Sequence, residues 1–228
     1  ALRRDTEVDA VLHSGYPIRH WDHDLGPATP QLFVGNTPTD DLNPMRQISS
    51  KAGSALHEAG YAISDDGSFV VTTWTVPGML ATSRTLLARI DTASSTTTIL
   101  VDDEDADLGS PAISPDGTCV AFVRESRSTP DDAPRITLSV YSFSDGTVTD
   151  CAPGWDRWPR DPVWMPDGSG VLVVADDFGR APIFLVRNGT AQRLTDTDSA
   201  YSHVHVGKDG SIFALEASWM HPPHPVRI

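Results

Sequence analysis

PVWMPDGSGVLVVADDFGRAPIFLVRNGTAQRLT, residues 162–195, is the stretch that decides the fold of this 228-residue chain. It alternates apolar runs with polar turns. In the first turn Pro166 and Asp167 precede Gly168, and glycine adopts a positive φ at no steric cost. The run Val171–Ala175 is too short for a globular helix and rich in β-branched residues, which favours a strand buried on both faces. Four short antiparallel strands in about 35 residues match the size of one propeller blade.

The same pattern, an Asp-Gly turn followed by an apolar strand, recurs along the chain. The turn glycines are spaced by 50, 51 and 42 residues and are Gly67, Gly117, Gly168 and Gly210. Such repetition is typical of stacked units that cannot bury both of their faces alone. Four unrelated hairpins in a β-sandwich are the alternative, but a sandwich gives no reason for the apolar pattern to recur. We therefore predict an all-β fold, a β-propeller of four-stranded antiparallel blades.

The predicted blades form a single propeller portion that occupies the whole chain. Complete blades are expected at about 56–101, 110–150 and 160–195, and partial blades at 1–50 and 202–228. The first partial blade has outer strands and the last has inner strands, so either the two complete one another or both belong to a larger ring. Mutual completion gives only about four blades, the lower limit for propellers. We expect an incomplete portion of a seven- or eight-bladed ring.

The charge and composition exclude several classes of partner. The chain has 17 Lys and Arg against 31 Asp and Glu, a net charge of −14, which repels a phosphate backbone and argues against nucleic-acid binding. No apolar run approaches the length of a membrane span and no signal-peptide pattern is present, so no membrane partner is expected. Two cysteines, Cys119 and Cys151, do not suggest a disulfide framework and favour a reducing, cytoplasmic location.

Several segments resemble the propeller of prolyl oligopeptidase family serine peptidases, most closely the dipeptidyl-peptidase and acylaminoacyl-peptidase branch. They are the repeated Ile-Ser-Pro-Asp-Gly turn, as at 113–117, QRLT at 192–195, YPIRHWDHD at 16–24 and LFV at 32–34. The resemblance covers residues 16–228. It implies peptide substrates and an α/β-hydrolase domain on the C-terminal side of a parent chain, because in that family the propeller lies over such a domain and limits entry to short peptides. Related propellers also resemble the translocation protein TolB.

The catalytic half of such a peptidase is not visible in these 228 residues. An α/β-hydrolase presents its serine in a Gly-x-Ser-x-Gly turn, and no such pentapeptide occurs here. The family's paired glutamates have no counterpart either, because the candidates Glu58, Glu104, Glu125 and Glu216 are isolated in sequence. We expect no catalytic residues and no cofactor in this chain. Its expected role is to gate and orient short peptides for a separate hydrolase domain, and the alternative is a stand-alone TolB-like protein-binding propeller.

Residues 155–161, WDRWPRD, lead into a predicted innermost strand and supply candidate channel residues. Arg157, Trp158 and Arg160 suit a role in gripping a peptide, through stacking and charge-assisted hydrogen bonds. The competing interpretation is that the two tryptophans pack between blades and the arginines pair with nearby aspartates. Residues 176–177 are both aspartate and are expected to be ordinary polar residues of a hairpin turn.

Two groups of histidines complete the candidate sites. His203 and His205 lie two apart on the predicted innermost strand of the last blade, so both point either into the channel or simply into solvent. His20, Asp22 and Asp24 share one face if their segment is extended, and imidazoles with carboxylates bind zinc or another divalent ion. A polar loop held by local hydrogen bonds is the favoured interpretation of this segment. A metal-dependent enzyme is therefore a third hypothesis, and it predicts stoichiometric metal in the purified protein.

The remaining aromatic and histidine residues are expected to be structural. Trp74, Trp164 and Trp219 fall in apolar strand patterns and are predicted to be core residues. His221 and His224 flank two prolines in what is expected to be a terminal loop, before any third strand of the last blade.

Overall fold

The computed structural model describes residues 19–20, 23–24, 29–35, 45–79, 82–196 and 198–228. These residues form β-strands and turns and no α-helix, which confirms the predicted all-β class. Among them there is also no apolar helix of membrane-spanning length.

Three sheets of four antiparallel strands follow one another along the chain, and in each of them the strands are ordered as in the sequence. A three-stranded sheet follows them, and two short hairpins precede them. The strands are β1 (Arg19–His20), β2 (His23–Asp24), β3 (Phe33–Val34), β4 (Arg46–Gln47), β5 (Tyr61–Ile63), β6 (Phe69–Pro77), β7 (Ser83–Asp91), β8 (Thr97–Val101), β9 (Ala106–Ile113), β10 (Cys119–Ser126), β11 (Ile136–Ser142), β12 (Val148–Asp150), β13 (Pro159–Trp164), β14 (Val171–Ala175), β15 (Ile183–Arg187), β16 (Thr190–Arg193), β17 (Ala200–Val206), β18 (Ile212–Ser218) and β19 (His221–Arg227).

The strand β14 shows why these sheets stack, because all five of its residues are buried. Val171, Val173 and Ala175 point to one side and pack in a core cluster with residues of β10 and β11 in the preceding sheet. Leu172 and Val174 point to the other side and pack with residues of β17 and β18 in the following sheet. The apolar run therefore contributes to two cores at once, as the sequence predicted.

The innermost strands β5, β9, β13 and β17 lie next to one another around a common axis. Trp164 Nε1 donates a hydrogen bond of 2.9 Å to the carbonyl oxygen of Ala112, which joins β13 to β9. A parallel bridge between Ala181 and Ala200 joins the third four-stranded sheet to the last one. Successive sheets around an axis are the blades of a propeller, which confirms the predicted fold.

The blades of the described residues do not close into a ring. β3 and β4 pair only with each other, and no strand from the first part of the chain joins the sheet of β17, β18 and β19. This arrangement fits the expected partial propeller, and the number of blades in a complete ring stays a prediction.

Each Asp-Gly turn is a small hydrogen-bonded unit. In the first, Asp66 Oδ1 accepts hydrogen bonds from Ser64 Oγ at 2.7 Å, from the Ser68 amide at 3.0 Å and from Ser68 Oγ at 2.7 Å. Gly67 has a φ of +70°, which suits glycine and few other residues. The hydrogen bonds from Ser64 and Ser68 lower the pKa of Asp66 from 3.8 to about 2.

The last blade corrects two expectations from the sequence. The residues around His221 and His224 are not a terminal loop, because β19 pairs antiparallel with β18 from Ser218 to Phe213. Trp219 is not a core residue. It lies in the two-residue connection between β18 and β19, where no neighbouring element covers it, and its side chain is fully exposed.

We predict that Leu172→Ala lowers the free energy of unfolding by about 2–5 kcal/mol, because it removes a fully buried side chain from the core between two blades. Ile99→Ala, at a side chain 47% exposed in an outer strand, is the control and should cost less than about 1 kcal/mol. Urea unfolding followed by tryptophan fluorescence measures both, and equal losses would contradict burial of β14 on two sides.

We also predict a pH-dependent loss of stability for Asp66→Ala. Because the folded pKa of Asp66 is lower than its ordinary value of 3.8, its stabilising contribution is complete above that pH and is lost as the pH falls through about 2. The variant should therefore melt below the wild type at pH 7, and the two melting temperatures should converge near pH 2. Asp65→Ala is the matched control, since Asp65 accepts none of the three hydrogen bonds of Asp66.

Candidate functional site

The innermost strands of four successive blades line a concave axial cavity of about 620 Å³. Its wall is mainly apolar and includes Trp164 from β13. The residues two positions before the turn glycines occupy equivalent places at its edge, and they are Asp65, Pro115, Pro166 and Lys208. The cavity thus combines an apolar wall with one carboxylate and one ammonium group, an arrangement that is typical of sites for small organic ligands and peptides.

A β-bulge with a left-handed residue recurs beside this cavity. The pairing register shifts by one residue in β9, β13 and β17 against the second strand of each blade. The bulges contain Ser110 (φ 48°), Asp161 (φ 52°) and His203 (φ 52°), each seven residues before the turn glycine of its blade. Gly60 has the same spacing from Gly67. Bulges of this kind change the direction of side chains next to functional sites. They therefore make Ser110 and Asp161 candidate site residues in addition to His203.

Ser110 and Asp161 are not among the candidate residues predicted from the sequence. The constant spacing of seven residues to the turn glycine is a signal that was present in the sequence, but the bulge that gives the spacing its meaning is visible only in the strand pairing. Both residues directly precede prolines that line the axial cavity, Pro111 and Pro162.

The two candidate histidines of the last blade are both exposed, on either side of the buried Val204. His203 Nδ1 lies 3.2 Å from Ser202 Oγ. His205 directly precedes Val206, which lines the axial cavity, but neither histidine belongs to the lining itself. A role for them in the channel stays a prediction.

The structure places Arg157 and Trp158 away from the axial cavity, in a second concavity of about 410 Å³. This groove lies between the start of β11 and the segment that enters β13, and none of its lining residues belongs to the axial cavity. Trp158 is 53% exposed, so its ring is accessible. Trp155 packs instead against Phe184, with ring centroids 5.0 Å apart, in the core between two blades.

Both candidate arginines are engaged in ion pairs. Arg160 pairs with Asp176 at 2.9 Å, and both side chains are exposed. Arg157 pairs at 2.8 Å with Asp177, which also accepts a hydrogen bond of 3.0 Å from Arg193. Because aspartates neutralise their charges, the two arginines are suited to holding the surrounding loop in position. A role for them in binding a peptide stays a prediction.

Asp177 corrects the interpretation of residues 176–177 as ordinary hairpin polarity. Its carboxylate is only 12% exposed and joins Arg157, from the segment entering β13, to Arg193, at the end of β16. The innermost and outermost strands of one blade are thereby tied together at one end. No sequence pattern identifies this role, since it depends on two arginines 36 residues apart meeting one carboxylate.

The proposed metal ligands His20, Asp22 and Asp24 lie outside the residues whose side chains the structure describes. Asp22 lies outside the described residues altogether. His20 and Asp24 lie on two strands, β1 and β2, which pair antiparallel with His20 opposite His23. In the described part of the chain, no three His, Cys, Asp or Glu side chains are grouped as a metal site requires.

The two cysteines are free. Burial raises the pKa of the Cys151 thiol to about 12, and the negative charge of Asp150 acts in the same direction. A thiol with this pKa is neutral at physiological pH and is a poor nucleophile or metal ligand.

The fold and the axial cavity define this chain as part of a β-propeller, and comparison with solved structures agrees. It superimposes on a puromycin-hydrolyzing peptidase of Mycobacterium tuberculosis with a TM-score of 0.60 and 17% identity, over 82% of this chain and 35% of that one. It superimposes on a TolB protein of Agrobacterium tumefaciens with a TM-score of 0.59 and 16% identity, over 76% of this chain and 59% of that one. At these identities the likeness shows the fold alone.

Sequence comparison finds relatives among the dipeptidyl peptidases. No protein-family model matches the chain. The chain is 26% identical to a probable dipeptidyl-peptidase 5 of Aspergillus niger, in an alignment that covers 92% of this chain and 33% of the relative. It therefore spans about a third of the length of the curated relatives that it matches. These matches confirm the resemblance predicted from the sequence, to the propeller of the dipeptidyl-peptidase and acylaminoacyl-peptidase branch of prolyl oligopeptidase family peptidases.

We predict that Asp177→Ala lowers the free energy of unfolding by about 1.5–3 kcal/mol, because it leaves two partly buried arginines without their shared acceptor. Asp176→Ala, which removes a single exposed ion pair from the adjacent position, should cost about 0–1 kcal/mol. Urea unfolding distinguishes the two variants. Equal effects would show that Asp177 does not tie the blade together.

Proposed function

We propose that this chain is the non-catalytic propeller of a prolyl oligopeptidase family serine peptidase, in which it gates and orients short peptides for a separate α/β-hydrolase domain. The observation that carries the proposal is the match to dipeptidyl-peptidase 5 over 92% of the chain. The axial cavity supplies the physical means, since the innermost strands of four blades line a space of a size that suits a few peptide residues.

Gating in this proposal is exclusion by size. The wall of the cavity is rigid because the strands behind it, such as β14, are buried on both sides and have no free volume into which to move. In a closed ring the axial channel is too narrow for a folded protein, whereas an extended peptide passes. The peptidase interior would thus receive only short or unfolded chains.

Orientation is assigned to the charged groups at the edge of the cavity. Asp65 attracts a free peptide amine and Lys208 a free carboxylate, and they lie in the first and last of the four blades that line the cavity. A peptide with both ends free therefore has a preferred direction there.

The alternative is a stand-alone TolB-like propeller that binds a protein partner. The TolB likeness is one of fold, at 16% identity, whereas the peptidase match extends to the sequence. The open reading frame distinguishes the two proposals. A peptidase gene encodes a Gly-x-Ser-x-Gly domain after Ile228, and its absence would contradict the peptidase proposal.

We predict that Ala62→Trp in the full-length parent lowers kcat/KM for peptides of about ten residues by about tenfold and leaves a dipeptidyl amide nearly unaffected, because the new indole narrows the axial cavity that Ala62 lines. Ala93→Trp, in an exposed turn outside the cavity, is the control with the same substitution. Both substrates are assayed with both variants. Equal slowing of long and short substrates by Ala62→Trp would contradict gating through this cavity.

A further inference from the structure

The three β-bulges of the innermost strands each present one polar side chain to the axis. Their left-handed residues are Ser110 in β9, Asp161 in β13 and His203 in β17, and all three are exposed. Ser110 is the one exposed residue of β9. Because β9 and β13 have a blade on either side and a partner strand on one edge, an exposed residue of these strands faces the axis. His203 takes the equivalent place in β17.

The bulges lie at the same level along the axis. Each left-handed residue is seven positions before the turn glycine of its blade, and the equivalent residue of the preceding blade is Gly60. A Cβ atom added to Gly60 would lie 4.0 Å from the Cα atom of Ser110, so these two positions are neighbours. The hydrogen bond from Trp164 to Ala112 holds β13 and β9 level to within one residue, and β13 and β17 contribute to one core cluster. Ser110, Asp161 and His203 therefore form one polar level, which we call the bulge arc.

The side chains of the bulge arc do little to stabilise their own backbone conformation. Aspartate and serine adopt a positive φ most readily where the side chain bonds to nearby backbone. In the described part of the chain, neither Ser110 Oγ nor the Asp161 carboxylate has a hydrogen bond or an ion pair. His203 Nδ1 has one contact, with Ser202 Oγ at 3.2 Å. A disfavoured backbone without local compensation indicates that the side chain is needed for binding.

Asp161 gives the bulge arc a negative charge that its surroundings leave in place. The adjacent Arg160 pairs with Asp176 at 2.9 Å and is not available to Asp161. Lys208, at the edge of the cavity, is five residues from His203, or about 15 Å along a strand, which exceeds the screening length of physiological salt. The net charge of −14 adds a long-range attraction for cations. The bulge arc therefore attracts a positively charged group.

We propose that the bulge arc binds lysine and arginine side chains of peptides in the axial cavity, with Asp161 as the counter-ion. Ammonium and guanidinium groups have more N–H donors than one carboxylate satisfies, and the hydroxyl of Ser110 and the imidazole of His203 supply further acceptors. Pro111 and Pro162 follow Ser110 and Asp161 directly and line the cavity, so a peptide there is within reach of the arc. This inference rests on the proposed function and adds its substrate class, which is basic peptides.

A metal ion is a poorer occupant of the same site. Within the described ranges, no third carboxylate, thiol or imidazole joins Asp161 and His203 in a metal-binding group. A peptide side chain needs no such set, because charge attraction and a few hydrogen bonds are sufficient to hold it.

The test is peptide binding to the full-length parent, after a fluorophosphonate has blocked its hydrolase serine. Two fluorescein-labelled nonapeptides with blocked ends are compared by fluorescence anisotropy, one with lysine and one with norleucine at the fifth position. The blocked ends remove any contribution from Asp65 and Lys208. The lysine peptide should bind about fivefold more tightly, which is the effect of one partly screened charge pair. Equal affinities would overturn the proposal.

Asp161→Asn in the parent should bring this ratio close to one, because it removes the charge and keeps a side chain that tolerates a positive φ. If Asp161 is needed only for its backbone conformation, the ratio stays fivefold and the proposal is overturned. Asp161→Gly should give the same loss, and it decides the question if the asparagine variant is unstable. Asp132→Asn, at an exposed carboxylate of the β10–β11 connection, is the matched control and should keep the ratio.

The other two members of the bulge arc are tested in the same way. Ser110→Gly and His203→Asn both suit a positive φ, and each should lower the ratio about twofold. If neither variant lowers it, the site is Asp161 alone and the arc is overturned. A parent that does not react with the fluorophosphonate would contradict the proposed function, whereas the binding comparison would still decide this inference.

Discussion

The structure depends on sheets whose two faces are both apolar. β14 has no exposed residue, and its alternate side chains enter the cores on either side of it. A single sheet of this kind has no stable existence in water, because either face left open exposes a continuous apolar surface. Each blade is therefore stable only between two neighbours, and the arrangement around an axis follows from the wedge shape that twisted sheets adopt when they are stacked.

This constraint leaves function to the ends of the blades and to the axis. The faces of the central sheets are used in packing, so most side chains that are free to meet another molecule lie along the innermost strands or in the connections. The innermost strands supply the mainly apolar cavity between Asp65 and Lys208. The connections supply self-contained hydrogen-bonded Asp-Gly turns at one end of the blades, and Arg–Asp pairs with exposed apolar side chains at the other end.

The sequence was sufficient for the fold because the deciding signals are local. Gly67 and its counterparts mark positions that need a positive φ, and the five-residue apolar run of β14 has one structural solution at that length. The site was much less predictable. Asp177 gains its role from arginines distant in the chain, and Trp219 follows an apolar strand pattern yet falls in the turn after it. Strand pairing decides where an apolar strand pattern ends in a turn and which charged side chains meet at that turn. No short segment of sequence encodes this pairing.

The proline content of β19 has a consequence for how the outer edge of this strand behaves toward other chains. Pro222, Pro223 and Pro225 have no amide hydrogen, so the outer edge of this strand is poor in donors. In the described residues no strand pairs with that edge. Unprotected edges normally recruit strands from other molecules and begin aggregation, and prolines are one of the means by which natural sheets prevent it. The sequence His-Pro-Pro-His-Pro therefore makes this edge a poor template for strands of other molecules.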